Sequence, residues 1–269
     1  MTALVLRRFC ERCGAYREPH QIRMVGPQAS AVPMCATCGG ALRTEHQRQA
    51  APFGSELARA FVFPFLPAIA LSTIGAAVGS AIVSFVPLIG NPLSSTIIVA
   101  FFFLVVRATA EGRDDLASDT EIAGNVWLWF SPLIRYFLTL LVAFTPALAA
   151  LVFLGWTASA PLVLALALLG LLYLPAGIIV AAHNEGCIAP LNPVPAVQII
   201  FRIPGAYFLT LVFLLLAATL GGAVVYGASL VLGSIPILGA LVLRVIGLYA
   251  PVVMGRQLGL LMREHGEEL

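Results

Sequence analysis

Four cysteines near the start of the sequence have the spacing of a metal site. Cys10 and Cys13 form one Cys-x-x-Cys pair, Cys35 and Cys38 form a second, and a glycine directly follows each pair. Four thiolates at this spacing can close a tetrahedral shell around Zn²⁺. A complete shell leaves no open coordination position, so the predicted zinc ion is structural and not catalytic.

The two Cys-x-x-Cys-Gly knuckles resemble the zinc ribbon, or rubredoxin-type knuckle, family over residues 8–45. The resemblance implies a small β module in which all four cysteines bind the metal. Gln21–Val25 and Ala31–Met34 suit its short strands, and Gly26-Pro27 suits a turn between them. Such a module is too small to bury a sufficient apolar core, so metal binding would supply its folding free energy.

Other uses of the cysteines are weighed against zinc. Iron in a rubredoxin-like site is one alternative, and a paired redox dithiol is another. The matching glycines of the two knuckles favour a shared metal over a dithiol. Disulfides are disfavoured because the topology derived below places the module in a reducing compartment.

The first half of the module is basic, which bears on its partner. Its arginines are Arg7, Arg8, Arg12, Arg17 and Arg23. Such a face suits an anionic lipid surface, at about 1 kcal/mol per arginine close to the membrane, or a cytosolic protein. Nucleic acid is not expected as a partner, since no aromatic platform for stacking accompanies the arginines.

The rest of the chain has the composition of a membrane protein. The whole sequence is 60% hydrophobic and 10% charged, whereas about a quarter of a soluble domain is charged. Three long runs lack charged residues and histidine, except for Arg244 in the third: they lie between Arg59 and Arg107, between Arg135 and His183, and between Arg202 and Arg256. One spanning helix needs about 20 apolar residues, so each run fits two helices and a turn.

The prediction is therefore an all-α membrane bundle of six transmembrane helices behind a small N-terminal β zinc ribbon. The helices are expected near 66–86, 93–111, 131–154, 161–182, 206–232 and 237–262. The corresponding domains are a ribbon at 1–48, a linker with an interfacial helix at 49–65, the bundle at 66–262 and a cytosolic tail at 263–269.

Arginine placement predicts the topology. All 15 basic residues are arginines, and none lies in the three turns within the apolar runs. The positive-inside rule then places both termini in the cytosol. Residues 1–50 lack a continuous apolar stretch, so the first hydrophobic helix is expected to act as the insertion signal. The plan resembles bacterial inner-membrane proteins in which a zinc ribbon precedes a polytopic bundle, a resemblance that implies no catalytic residues.

Two segments outside the spans are expected to lie on the membrane surface. Ser55–Phe63 is predicted as an interfacial helix with Ser55 as its N-cap. Ser118–Glu121 leads into a tryptophan-rich stretch, Trp127–Phe130, that suits the headgroup region.

Glycine pairs mark predicted helix contacts. Gly75 with Gly79, and Gly255 with Gly259, would allow close backbone approach, and packing within the chain is favoured over dimerisation. The similar turns Val86–Gly90 and Ile235–Gly239 suggest a duplicated hairpin.

Arg244 is the polar residue of the spans with the clearest chemical potential. It lies about 12 Å inside the last helix at helical rise, and the spans contain no acidic residue to neutralise it. It would reach outward or pair with carbonyls, or it would bind an anion or a lipid headgroup.

Two polar loops could carry chemistry but have simpler interpretations. His183–Cys187 contains His, Glu and Cys, yet its spacing is not that of a helical metal site. It is interpreted as a cytosolic turn, followed by a helix that Asn192 caps and that ends at Arg202. Asp114 and Asp115 could hold Mg²⁺, but no second acidic motif accompanies them, and a solvated loop that faces the ribbon is favoured.

These observations predict a non-enzymatic membrane protein whose ribbon recruits or senses a cytosolic partner. The alternative is a small-solute or lipid transporter that uses Arg244. A lipid-modifying enzyme would need an acid, base or nucleophile cluster at one membrane depth, and the sequence offers none.

Overall fold

The computed structural model describes residues 4–10, 15–17, 22–25, 32–39, 42–48, 52–113, 116, 126–184, 186–235 and 238–266. The chain forms two compact units, Met1–Pro52 and Phe53–Leu269. The boundary between the units falls inside the segment 49–65 that is predicted as linker and interfacial helix. The described part of the first unit contains strands, and that of the second contains helices.

The first unit is built from antiparallel strand pairs. Its strands are β1 Leu4–Cys10, β2 Ala15–Arg17, β3 Ile22–Val25, β4 Val32–Cys35 and β5 Leu42–Arg48. One sheet has the order β2-β1-β5, and β3 pairs with β4 separately. The β3–β4 pair corresponds to the two short strands predicted from the sequence, whereas the predicted turn at Gly26-Pro27 lies outside the described residues.

The second unit contains six helices that are long and apolar enough to cross a membrane, counted over the described residues. This number confirms the prediction. The helices are α2 Pro67–Ser84, α3 Gly90–Ala110, α4 Val126–Leu154, α5 Trp156–His183, α7 Pro204–Leu232 and α8 Leu238–His265. Two shorter helices are α1 Phe53–Arg59 and α6 Val194–Arg202.

Helices α4 and α5 each begin five residues before their predicted starts. Pro132 and Pro161, which lie at or next to the predicted starts, are inside the helices. Trp127–Phe130 is therefore the first part of α4 and not a separate surface segment, while Ser118–Glu121 lies outside the described residues. Membrane helices tolerate interior proline because neighbouring groups satisfy the freed backbone atoms. The chain reverses at Gly155, whose φ of 73° suits glycine.

Helix α1 differs from the predicted interfacial helix. It begins at Phe53, so Ser55 lies within its first turn and is not the N-cap. A 3-10 helix, Phe63–Phe65, follows and contains Pro64. Leu57 is fully buried, and α1 contacts α7 and α8. Packing against these helices, rather than a serine cap, therefore sets its position.

The last helix packs closely on α3. A Cβ at Gly255 would lie 3.1 Å from Val105 Cγ1, and one at Gly259 would lie 2.5 Å from Val106 O. This confirms the predicted packing within the chain for this glycine pair. For Gly75 and Gly79 the same prediction is wrong, because a Cβ at either would meet no atom within 4 Å. That face of α2 points away from its neighbours.

The first and third hairpins share one detail. A Cβ at Gly90 would lie 2.6 Å from Val83 O, and one at Gly239 would clash with Leu232 O. In both hairpins the glycine comes seven residues after the residue whose carbonyl oxygen it faces. Each glycine therefore lets the start of its helix pack closely on the end of the preceding helix. Pro236 and Ile237 of the third turn lie outside the described residues, and the duplication stays a prediction.

Helix α6 presents apolar groups on two sides. Ala196 and Ile199 are buried, whereas Val197 and Phe201 point outward, with Phe201 78% exposed. A helix with one apolar side in the protein and another outside it suits the edge of a bilayer. The N-cap position of this helix is Pro193 and not the predicted Asn192. Asn192, one residue earlier, accepts a hydrogen bond of 3.1 Å at its Oδ1 from the backbone N–H of Val194.

The largest buried cluster lies where α3, α5, α6, α7 and α8 meet. It includes Phe103, Ile179, Ile199, Tyr207 and Leu258. Four of these five residues lie in spans, near the ends predicted to face the cytosol.

Candidate functional sites: cysteine knuckles and bundle arginines

The second cysteine knuckle is a closed turn. Cys35 is the last residue of β4 and is buried, and Cys38 lies in the turn that follows and is half-buried. The N–H of Gly39 donates a 2.9 Å hydrogen bond to Cys35 O. Gly39 has a φ of 67°, a conformation that suits glycine because it lacks a Cβ. The glycine after the knuckle therefore serves the tight turn that the sequence predicts.

Strand pairing fixes the position of Cys10 within the first unit. Cys10 ends β1 and lies opposite both Ala15 in β2 and Leu42 in β5. Cys38 precedes Leu42 by only four residues, a stretch that spans at most about 14 Å when extended. The chain therefore limits how far Cys38 can lie from the end of β1, and one metal shared by both knuckles stays a prediction.

The complete set of predicted metal ligands extends beyond the described residues. Cys13 lies outside them, and only the backbone of Cys10 is described. Among the side chains that are described, no three His, Cys, Asp or Glu residues lie together as a metal site would need. The sulfur donor set suits Zn²⁺, and the assignment stays a prediction.

Arg135 is a buried arginine of the bundle, only 4% exposed. Its Nη1 donates to Ala181 O at 3.0 Å and to Asn184 O at 2.7 Å. Its Nη2 donates to Ser131 Oγ at 2.8 Å. The guanidinium of an α4 residue therefore satisfies carbonyl groups at the C-terminal end of α5, where a helix leaves carbonyls without partners.

Arg107 acts at the same place from α3. Its Nε donates a 2.9 Å hydrogen bond to Ala182 O. Two arginines from two helices thus hold the end of α5, and cations are favoured there by the helix dipole. In the sequence, the arginine pattern only predicts that Arg107 and Arg135 lie on the cytosolic side. It does not predict which carbonyls they bind.

The turn after α5 is fixed to α4. Cys187 Sγ lies 3.5 Å from Ser131 Oγ, and Ser131 also binds Arg135. His183 is exposed, and Glu185 lies outside the described residues. The described atoms support the interpretation of this segment as a turn.

The acidic loop after α3 is described only at its start. Arg113 Nη2 lies 2.8 Å from Glu111 Oε2. Asp114 and Asp115 lie outside the described residues, so the proposed contact between this loop and the ribbon stays a prediction.

Arg244 pairs with a hydroxyl group. It is half-buried in α8, and its Nη1 donates a 2.7 Å hydrogen bond to Oγ of the buried Ser94 in α3. Carbonyl pairing was expected if Arg244 stayed within the bundle, so the serine is a partner that the sequence did not indicate. Arg256, also in α8, lies with its Cζ 4.4 Å from the centre of the Phe63 ring, a cation–π contact.

Tyr207 forms hydrogen bonds with two backbone groups of α5. Its side-chain O–H donates to Leu172 O, and its oxygen accepts a 3.3 Å hydrogen bond from Ala176 N. These two backbone groups would otherwise bond to each other as residues i and i+4. Pro175 lies beside them, and proline commonly bends a helix and opens this ladder.

We expect Tyr207→Phe to lower the free energy of unfolding by about 1–3 kcal/mol, the cost of leaving buried polar groups without a partner. The measurement is thermal unfolding in detergent. Tyr226→Phe is the matched control, because Tyr226 is 69% exposed on the same helix. Equal melting temperatures for the two variants would contradict the bridging role of Tyr207.

Comparison with family models, curated proteins and solved structures gives no match to this chain.

Proposed function

We propose that this chain is a non-enzymatic membrane anchor for a cytosolic zinc ribbon that recruits or senses a protein partner. The ribbon binds structural Zn²⁺ through Cys10, Cys13, Cys35 and Cys38. The six-helix bundle holds it at the inner face of a bacterial plasma membrane.

The observation that supports the proposal is the pairing of the end of β1 with the start of β5, close in sequence to the second knuckle. Cys10 pairs with Leu42, which follows Cys38 closely, and Gly39 closes the second turn onto Cys35. A four-sulfur shell built there has no free position for a substrate. The role left to such a module is to present a folded surface.

The bundle supports the anchoring role. Arg135 and Arg107 bind backbone carbonyls of α5, and Arg135 is buried while it does so. Buried charged groups that bind the protein's own backbone stabilise its packing. They do not form the group of acid, base and nucleophile that catalysis requires.

The recruiting role is tested by crosslinking in intact membranes. Wild type is compared with a Cys35→Ser/Cys38→Ser variant, and the crosslinked proteins are identified by mass spectrometry. A partner bound by the ribbon is expected to be lost from the variant, because the surface is folded only with metal.

Cys187→Ser is the control, since Cys187 belongs to the bundle and not to either knuckle. It is expected to keep the partners of the wild type. The same set of crosslinked proteins in all three samples would refute the recruiting role, while leaving the membrane assignment intact.

Orientation is a separate prediction. Reporters fused at residue 90, 158 or 235 are expected to be active only outside the cytosol, and fusions at either terminus only inside, because the arginines lie at one end of each span. A cytosolic reporter signal at residue 90, 158 or 235 would overturn the topology.

The alternative function is transport of a small solute or a lipid past Arg244. Arg244 favours it because its guanidinium makes a single hydrogen bond among the described residues, to Ser94. A half-buried cation with further N–H donors can contact an anionic group.

Arg244→Leu is then expected to abolish uptake of anionic solutes, or flipping of anionic lipids, in proteoliposomes. Ser94→Ala serves as the control, because it removes the hydrogen bond and leaves the charge. If Arg244→Leu performs both activities as well as wild type does, Arg244 has no role in transport.

A further inference from the structure

Gln257 is a buried amide with no hydrogen-bond partner among the described residues. The residue is 0% exposed, and neither its Nε2 nor its Oε1 has a partner. More than nine in ten buried polar groups in proteins are hydrogen-bonded, often through a bound molecule.

The position of Gln257 can be followed along α8. Val253, one turn earlier, packs with Ala60 and Ala217. Leu261, one turn later, belongs to the cluster that contains Tyr207 and Leu214. Residues four apart share a helix face. Gln257 therefore lies on the side of α8 that meets α7 and the turn after α1.

A second polar group lies on the α7 face that meets this part of α8. Thr210 is buried, and its Oγ1 donates to Ala206 O at 2.8 Å. A hydroxyl group that donates one hydrogen bond can still accept another. Ala60 and Ala217, which pack with Val253 one turn earlier, have small side chains.

We propose that Gln257 lines an internal site that binds one hydroxyl-bearing molecule between α1, α7 and α8. A hydroxyl group suits both atoms of the amide, because it can accept from Nε2 and donate to Oε1. Water and a small alcohol share this chemistry. The proposal goes beyond the anchoring function and does not depend on the ribbon.

The site is separate from Arg244. The two residues are 13 positions apart on α8, which puts them about 140° apart around the helix and about 20 Å apart along it. Arg244 faces α3, whereas Gln257 faces α7. A single path would not pass both residues, so loss of one is not expected to imitate loss of the other.

The sign of a stability change tests the proposal. Gln257→Met keeps the length of the side chain and removes both polar atoms. If a bound hydroxyl satisfies the amide, the variant is expected to melt about 3 °C or more below wild type in detergent, because the guest loses its partner. If the amide is unsatisfied, the variant is expected to melt higher than wild type.

Leu260→Met is the matched control for repacking, since Leu260 is fully buried three residues away. A Gln257→Met melting temperature equal to or above that of the control would overturn the proposal. A high-resolution structure gives an independent test: density for a molecule within hydrogen-bonding distance of the amide is expected, and protein atoms bonding both amide atoms would refute the site.

Native mass spectrometry then distinguishes the two sources of the hydroxyl. An added mass that is present in wild type and absent from Gln257→Met identifies an organic guest. No added mass, together with the lowered melting temperature, identifies water.

Discussion

Replacing Cys35 and Cys38 together with serine is expected to reduce the zinc content of the purified full-length chain from about one ion to nearly none. The two remaining thiolates cannot close a tetrahedral shell. Structural zinc contributes about 10–16 kcal/mol in small modules, so the first unit should lose its fold. Metal analysis and limited proteolysis of residues 1–52 measure the two effects.

The fifth cysteine provides the control for this experiment. Cys187→Ser is expected to keep the zinc content of wild type, because Cys187 lies beside Ser131 in the bundle. Iron in place of zinc would identify the rubredoxin-like alternative. A wild-type chain with neither metal, or a double variant that keeps its zinc, would contradict the ribbon.

Arg135→Met is expected to give the largest loss of stability in the bundle, about 3 kcal/mol, which corresponds to a melting temperature lower by about 6–12 °C. The variant leaves the carbonyls of Ala181 and Asn184 without their donor and Ser131 without its partner. Thermal unfolding in detergent measures the change.

Three companion variants separate geometry from charge. Arg135→Lys is expected to lose most of the stability that Arg135→Met loses, because one ammonium group cannot reach the same acceptors as a planar guanidinium. Arg107→Met should cost less than Arg135→Met, because Arg107 makes one hydrogen bond to α5. Arg59→Ala should change stability by less than about 1 kcal/mol, as its side chain is 54% exposed in a surface ion pair.

An Arg135→Met variant that melts at the same temperature as Arg59→Ala would show that Arg135 does not hold the end of α5. A full rescue by Arg135→Lys would show that charge alone matters there.

The spans could be predicted from the sequence because lipid imposes a simple rule. An uncharged stretch must be long enough to cross the bilayer, and clusters of proline and glycine mark the turns between neighbouring spans. The number of spans followed from three runs alone. Helix starts were less certain because proline both begins helices and occurs within spans, as Pro132 and Pro161 do here.

The partners of buried polar groups could not be predicted, because they depend on which helices meet. The sequence predicts that Arg135 and Arg107 lie at the cytosolic ends of their helices, but their acceptors belong to α5. Ser94 binds Arg244, and Tyr207 forms hydrogen bonds with the backbone of α5. The sequence around these two residues does not indicate either role. Gln257 looks like an ordinary polar residue near the end of a span.

The arginine contacts at α5 also bear on how the chain is assembled during translation. Arg107 and Arg135 leave the ribosome before the carbonyls that they bind, since α3 and α4 precede the end of α5. The donors are thus already in the bilayer when the fourth span is inserted. The end of α5 can therefore meet both donors as soon as its span is inserted, before α7 and α8 are made.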